Sequence, residues 1–84
     1  MAGETEREAE IQQLERLKAM GEKAYDEMYE VHSQREVNAS YRDAKDAFDD
    51  AIGLARGLGL AQEAEALSER LAHIKAVYRS QFAG

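Results

Sequence analysis

The chain has no cysteine, no proline and no tryptophan in its 84 residues, and these absences narrow what it can be. Without cysteine there is neither a disulfide framework nor a thiolate metal site, so the apolar core must hold the fold, and a cytoplasmic location is expected. The lack of proline, with 44% hydrophobic and 33% charged residues, suits a helical protein better than a disordered tail or a sheet. No apolar run approaches the roughly 18 to 20 residues needed to cross a bilayer, and no membrane partner is expected. The N-terminal stretch carries Glu4, Glu6, Glu8 and Glu10 with a single Arg7, the opposite of a basic leader followed by an apolar run, so no signal peptide is expected. Positive charge is also scarce. With 11 basic against 17 acidic residues the net charge is -6, which opposes binding to phosphate backbones, whose affinity comes largely from lysine and arginine releasing counterions. Nucleic acid is therefore not an expected partner.

What remains is a helical pattern. From about residue 4 to 33, Ile11, Leu14, Leu17, Ala24, Tyr25, Met28 and Val31 recur at spacings of three or four, the signature of an amphipathic helix. Its first turns are almost wholly charged and offer little to bury, so residues 1–8 are expected to fray. A second stripe, Tyr41, Ala44, Phe48, Ala51, Ala55 and Leu58, is out of phase with the first, because Tyr41 follows Tyr25 at a distance that would swing the apolar face around one continuous helix. The phase jump predicts a turn over Ser33 to Ala39 and a second helix over about 39–57, capped by Asn38 or by Ser40 with Asp43. Gly57, Leu58 and Gly59 then end that helix, since glycine takes the left-handed conformation without a steric penalty. A third helix over about 60–81 carries Leu60, Ala64, Leu67, Leu71, Ile74, Tyr78 and Phe82 on one face, widened by Ala61 and Val77. None of the three can hide its stripe alone, so the expected fold class is all-α: three antiparallel amphipathic helices in one domain spanning 1–84. Gly53, inside the second helix, costs about 1 kcal/mol of helix propensity relative to alanine. Close approach of a neighbouring backbone is the expected reason for it.

Ala44, Phe48 and Ala51 have the small, aromatic, small spacing of a second tetratricopeptide-repeat helix. The stretch AIGLARGLGLAQEAEALSERLAHIKAVY resembles the passage from one such repeat to the next, so residues 44–82 look like a tetratricopeptide-repeat hairpin. The resemblance implies protein binding without chemistry and names no ligand. Gly21 and Ala24 correspond to the small positions of a preceding first helix, but Ala44 follows about eleven residues too late and the closing proline is replaced by Arg56. A repeat-like hairpin in a compact or self-associating protein fits this spacing better than a peptide-binding superhelix.

The residues capable of chemistry do not converge in the sequence. Asp43, Asp46 and Asp50 share a helix face, yet a rigid helix rarely wraps enough oxygens around calcium, and a solvated face with Arg42–Asp46 and Lys45–Asp49 pairs is expected. His32 and His73 lack the glutamate three residues before them that a carboxylate-bridged metal bundle requires; Tyr29 and Arg70 stand there. His32 is expected at a helix end and His73 in a surface ion pair with Glu69. Ser33, Ser40, Ser68 and Ser80 show no strained nucleophile turn, and Gly53, Gly57 and Gly59 form no phosphate loop. No cofactor, metal or small-molecule ligand is expected. Met20, Met28, Tyr29, Tyr78 and Phe82 are the candidate interface residues, because methionine and tyrosine are enriched in interfaces and a thin core leaves apolar surface over.

The leading expectation is a non-enzymatic helical interaction or self-association module, either a homodimer or an adaptor. The alternative is an acidic decoy that occupies a basic nucleic-acid-binding partner through Glu15, Glu22, Asp26 and Glu30. A small enzyme with a site built at an oligomer interface ranks last, since no acid, base or nucleophile stands out.

Overall fold

A computed structural model describes residues 2–83, with side chains from Thr5 onward. Three helices follow one another: α1 (Ala2–Glu30), α2 (Gln34–Gly57) and α3 (Ala61–Val77). A looser π-type turn, Tyr78–Phe82, extends α3, and there is no strand among the described residues. The pairs that join α1 to α3 rise together in number: Lys18 with Glu63, Glu22 with Arg70 and Tyr29 with Phe82. These two helices therefore run parallel, and α2 runs antiparallel between them. The all-α, three-helix expectation holds.

The first connection is shorter than the phase jump suggests. It occupies only Val31 to Ser33, and α2 begins at Gln34 instead of residue 39. Ser33 is the cap: its backbone is extended (φ -127°, ψ 153°) and its hydroxyl accepts the Glu36 N–H at 3.1 Å. Ser33 and Glu36 have the spacing of a capping box, and Glu36 lies at the positive end of the helix dipole. Asn38 and Ser40, the expected caps, sit inside the helix. Asn38 accepts hydrogen bonds from Gln34 and from the Tyr78 hydroxyl, and Ser40 is buried. His32 falls in the connection just beyond α1. The second connection forms where the glycines predict it. Gly59 has φ +76°, and Leu60 N–H returns to the Ala55 carbonyl at 2.9 Å while Gly59 N–H bonds Arg56, the arrangement that closes a helix around a left-handed glycine.

The core is built from Leu14, Ala24, Tyr25 and Met28 of α1, Ala44, Phe48, Ala51, Ile52 and Ala55 of α2, and Ala64, Leu67, Leu71, Ile74 and Val77 of α3. Phe48, Leu14, Met28 and Ile74 are its largest fully enclosed side chains. Small residues on α2 leave room for the larger ones of its neighbours, which is how a chain of this size fills a close-packed interior. The glycine that permits close approach is Gly21, not Gly53. A Cβ at Gly21 would lie 2.6 Å and 2.7 Å from two ring carbons of Phe48, whereas one at Gly53 would meet nothing within 4 Å. Gly53 is exposed; the expectation that it serves packing is corrected.

The helix of α1 extends back through its charged first turns to Ala2, and Met1 lies outside the described residues. From Thr5 to Gln13 its side chains are all exposed, with Arg7 reaching the Leu58 carbonyl at 3.4 Å. No helix among the described residues is long and apolar enough to cross a membrane.

Candidate functional site

The flanks of α1 are treated differently by the rest of the molecule. On one side it meets α3 through a belt of charged and aromatic contacts. Arg70 donates twice to the Glu22 carboxylate, at 2.6 and 3.0 Å, and its guanidinium lies 5.1 Å from the centre of the Tyr25 ring. Lys18 contacts Glu63 at 2.6 Å and Glu15 at 3.4 Å. The hydrogen-bonded Glu63 carboxylate raises the Lys18 pKa above its ordinary value, and Glu22 does the same for Arg70. Tyr25 is raised too, chiefly by the hydroxyl contact with Tyr29 at 3.1 Å and then by burial. Tyr29 and Phe82 meet edge to face at 5.1 Å, and His73 stands edge-on to Tyr25 at 6.5 Å.

These contacts replace several expected local pairs. Among the described residues the ion pairs are Lys18 with Glu15 and Glu63, and Arg70 with Glu22. Arg42–Asp46, Lys45–Asp49 and Glu69–His73 are not formed. Lys45 lies over the Tyr41 ring at 5.6 Å, and His73 turns to Tyr25. A lysine able to reach an aromatic ring gains as much there as from an exposed carboxylate one turn away.

On its other side α1 forms a groove with α2 alone. The groove encloses about 380 Å³. Its floor is apolar, made by Leu17, Met20, Ala24 and Ala47, and its rim carries Glu27, Asp43, Asp46 and Asp50 against one cation, Lys23. Met20 is 58% exposed. None of the four rim carboxylates makes an ion pair or hydrogen bond with a described residue. The three aspartates come together because their spacings of three and four put them on one face of α2, and the Gly21–Phe48 contact sets the register that brings them opposite Leu17 to Glu27. No group of three or more His, Asp or Glu among the described residues is placed to hold a metal ion. A second hollow, at Gly59 to Glu63 around the α2–α3 turn, gathers no convergent set of side chains.

The five candidate interface residues are not brought to one surface. Met20 opens into the α1–α2 groove, whereas Tyr29, 53% exposed, lies with Phe82 on the α3 side. Tyr78 is half-buried, stacked on Tyr41 at 3.9 Å and donating to Asn38 at 2.6 Å. Met28 is fully buried (0% exposed), which corrects the expectation of partial exposure: it lies on the stretch of α1 that faces the core. Leu17 and Ala47, not expected at an interface, join Met20 in lining the groove, and the face of Asp43, Asp46 and Asp50, expected to be only solvated, forms its rim. The signal for the groove in the sequence is Met20, three residues after Leu17 and just off the edge of the apolar stripe to which Leu17 belongs. The chain matches no known family model, and no curated protein or solved structure is significantly similar to it.

Proposed function

We propose that this chain is a non-enzymatic, cytoplasmic protein-interaction module that binds through the groove between α1 and α2. The supporting observation is that groove itself: an apolar floor with Met20 more than half exposed, left open where α3 covers only the other flank of α1. Covering Met20, 58% exposed, with a partner gains about 1–2 kcal/mol, the exposed share of the value for burying a whole side chain. No histidine, serine or tyrosine lines the groove beside its carboxylates, so no nucleophile–base pair is assembled there. A tetratricopeptide-repeat-like α2–α3 hairpin would serve the same end, protein binding without chemistry. A second reading, an acidic decoy for a basic nucleic-acid-binding protein, draws support from the unpaired rim carboxylates; Glu22 and Glu15, expected to serve it, are engaged by Arg70 and Lys18.

The test places a photo-crosslinking residue at Met20 and, as control, at exposed Ala66 of α3, in cells that express the protein. The Met20 position is expected to give a discrete protein adduct and the Ala66 position none. A chain that forms no adduct from Met20 and sediments as a monomer at all concentrations would refute the proposal.

A further inference from the structure

The occupant of the α1–α2 groove can be narrowed by charge. Four carboxylates, Glu27, Asp43, Asp46 and Asp50, face one lysine around the apolar floor, and none is paired with a side chain among the described residues. A second copy of this chain seated groove to groove would bring the same aspartates against one another on a protein already at -6, and like charges in such a contact oppose association. A purely apolar partner would cover the floor but shut the rim carboxylates away from water without pairing them, a penalty that grows with burial. The groove is also short. Leu17 to Glu27 spans about 15 Å of helix, and a helix lying beside it contacts it over roughly three turns.

We propose, building on the interaction reading above, that the groove docks a cationic amphipathic helix of a partner protein. Leucine-like side chains at spacings of three and four pack between Met20, Leu17 and Ala47. Lysines or arginines flanking that stripe reach Asp43, Asp46 and Asp50, which repeat along α2 with the same helical period. The docked segment completes a four-helix arrangement on the flank that α3 leaves open. The small contact makes this a transient complex with a dissociation constant in the micromolar range.

The experiment titrates the full chain with three fluorescent peptides of about 18 residues, long enough to be helical: an amphipathic leucine/lysine peptide, its leucine/glutamate counterpart, and the leucine/lysine composition scrambled to lose its apolar stripe. Anisotropy gives affinity and amide chemical shifts give the site. The first peptide is expected to bind with shifts centred on Leu17, Met20, Ala24 and Ala47, the second not to bind, and the third to bind at least tenfold more weakly. Asp46→Asn combined with Asp50→Asn should weaken binding about tenfold. The pair Glu65→Gln and Glu69→Gln, which removes the same net charge from exposed positions of α3, should change it less than twofold, and Met20→Lys should abolish it. Equal binding of the scrambled peptide, equal effects of the two charge-removal pairs, or shifts on the α3 flank would each overturn the proposal. If the leucine/lysine peptide fails while the Met20 crosslink still captures a protein, the cationic occupant is wrong and the interaction reading stands; if both fail, both fall.

Discussion

Three glycines in this chain predict three different responses to alanine, and the contrast isolates one packing contact. At exposed Gly53 a Cβ meets nothing within 4 Å, so Gly53→Ala should stabilise the protein by about 1 kcal/mol through helix propensity alone. Gly21→Ala has the same propensity gain, but its Cβ would sit 2.6 Å and 2.7 Å from Phe48 ring carbons, about 1 Å inside ordinary carbon–carbon contact. Phe48 is only 1% exposed and cannot retreat without displacing the core. Overpacking of this kind costs about 1–3 kcal/mol. Propensity cancels between the two variants, so Gly21→Ala should be less stable than Gly53→Ala by about 1–3 kcal/mol, the overpacking term alone. For a domain of this size that separates their melting temperatures by roughly 4–8 °C per kcal/mol. Gly59→Ala, at φ +76°, should be destabilised by about 1–2 kcal/mol without any clash. Urea and thermal unfolding followed by far-UV circular dichroism measure all three. Replacing Phe48 by leucine should relieve the clash and reveal a coupling between positions 21 and 48 of about 1 kcal/mol or more in a double-mutant cycle. The reasoning is refuted if Gly21→Ala stabilises as much as Gly53→Ala, since α1 would then not pack its backbone on Phe48, and the register that builds the groove would be wrong with it.

Other perturbations address single contacts. Ser33→Ala removes the oxygen that accepts the Glu36 N–H and should cost about 1 kcal/mol, whereas Ser40→Ala, not a cap, should show no such helix-end effect by hydrogen exchange at residues 34–37. Lys18 and Tyr25 both have folded-state pKa values raised above 10.5 and 10.0 respectively, so their protonated forms favour the fold. Their contribution is complete at neutral pH and declines as pH climbs past those ordinary values through the raised ones. Unfolding curves measured from neutral to strongly alkaline pH should show this fall, and Lys18→Met with Tyr25→Phe should flatten it; an unchanged slope would reject the assignment. Amides in the first turns of α1, where every side chain from Thr5 to Gln13 is exposed, should exchange with solvent far faster than those near Met28 and Phe48. Equal protection along α1 would mean that those turns are held by a contact absent from this fold.

Helices form here because local rules agree, and those rules are legible without a structure. Apolar spacing of three and four marks all three helices, and the Gly57–Leu58–Gly59 stop needs only the fact that glycine accepts positive φ. The break before α2 shows where such reasoning loses resolution. A phase jump proves that the stripe changes face somewhere between Val31 and Tyr41 but does not say at which residue, and the local chemistry of Ser33 and Glu36 located it. Burial differed in kind. Met20 and Met28 are the same residue type on the same helix, yet one is 58% exposed and the other 0%, because α3 and α2 enclose one side of α1 and leave the other open. The same holds for Gly21 and Gly53, and for the Glu22–Arg70 pair joining residues far apart in the chain. Periodicity determines which side chains share a face. Which faces acquire a neighbour, and therefore which carboxylates remain unpaired around an open groove, depends on how three helices of unequal length pack, and only the tertiary structure decides that.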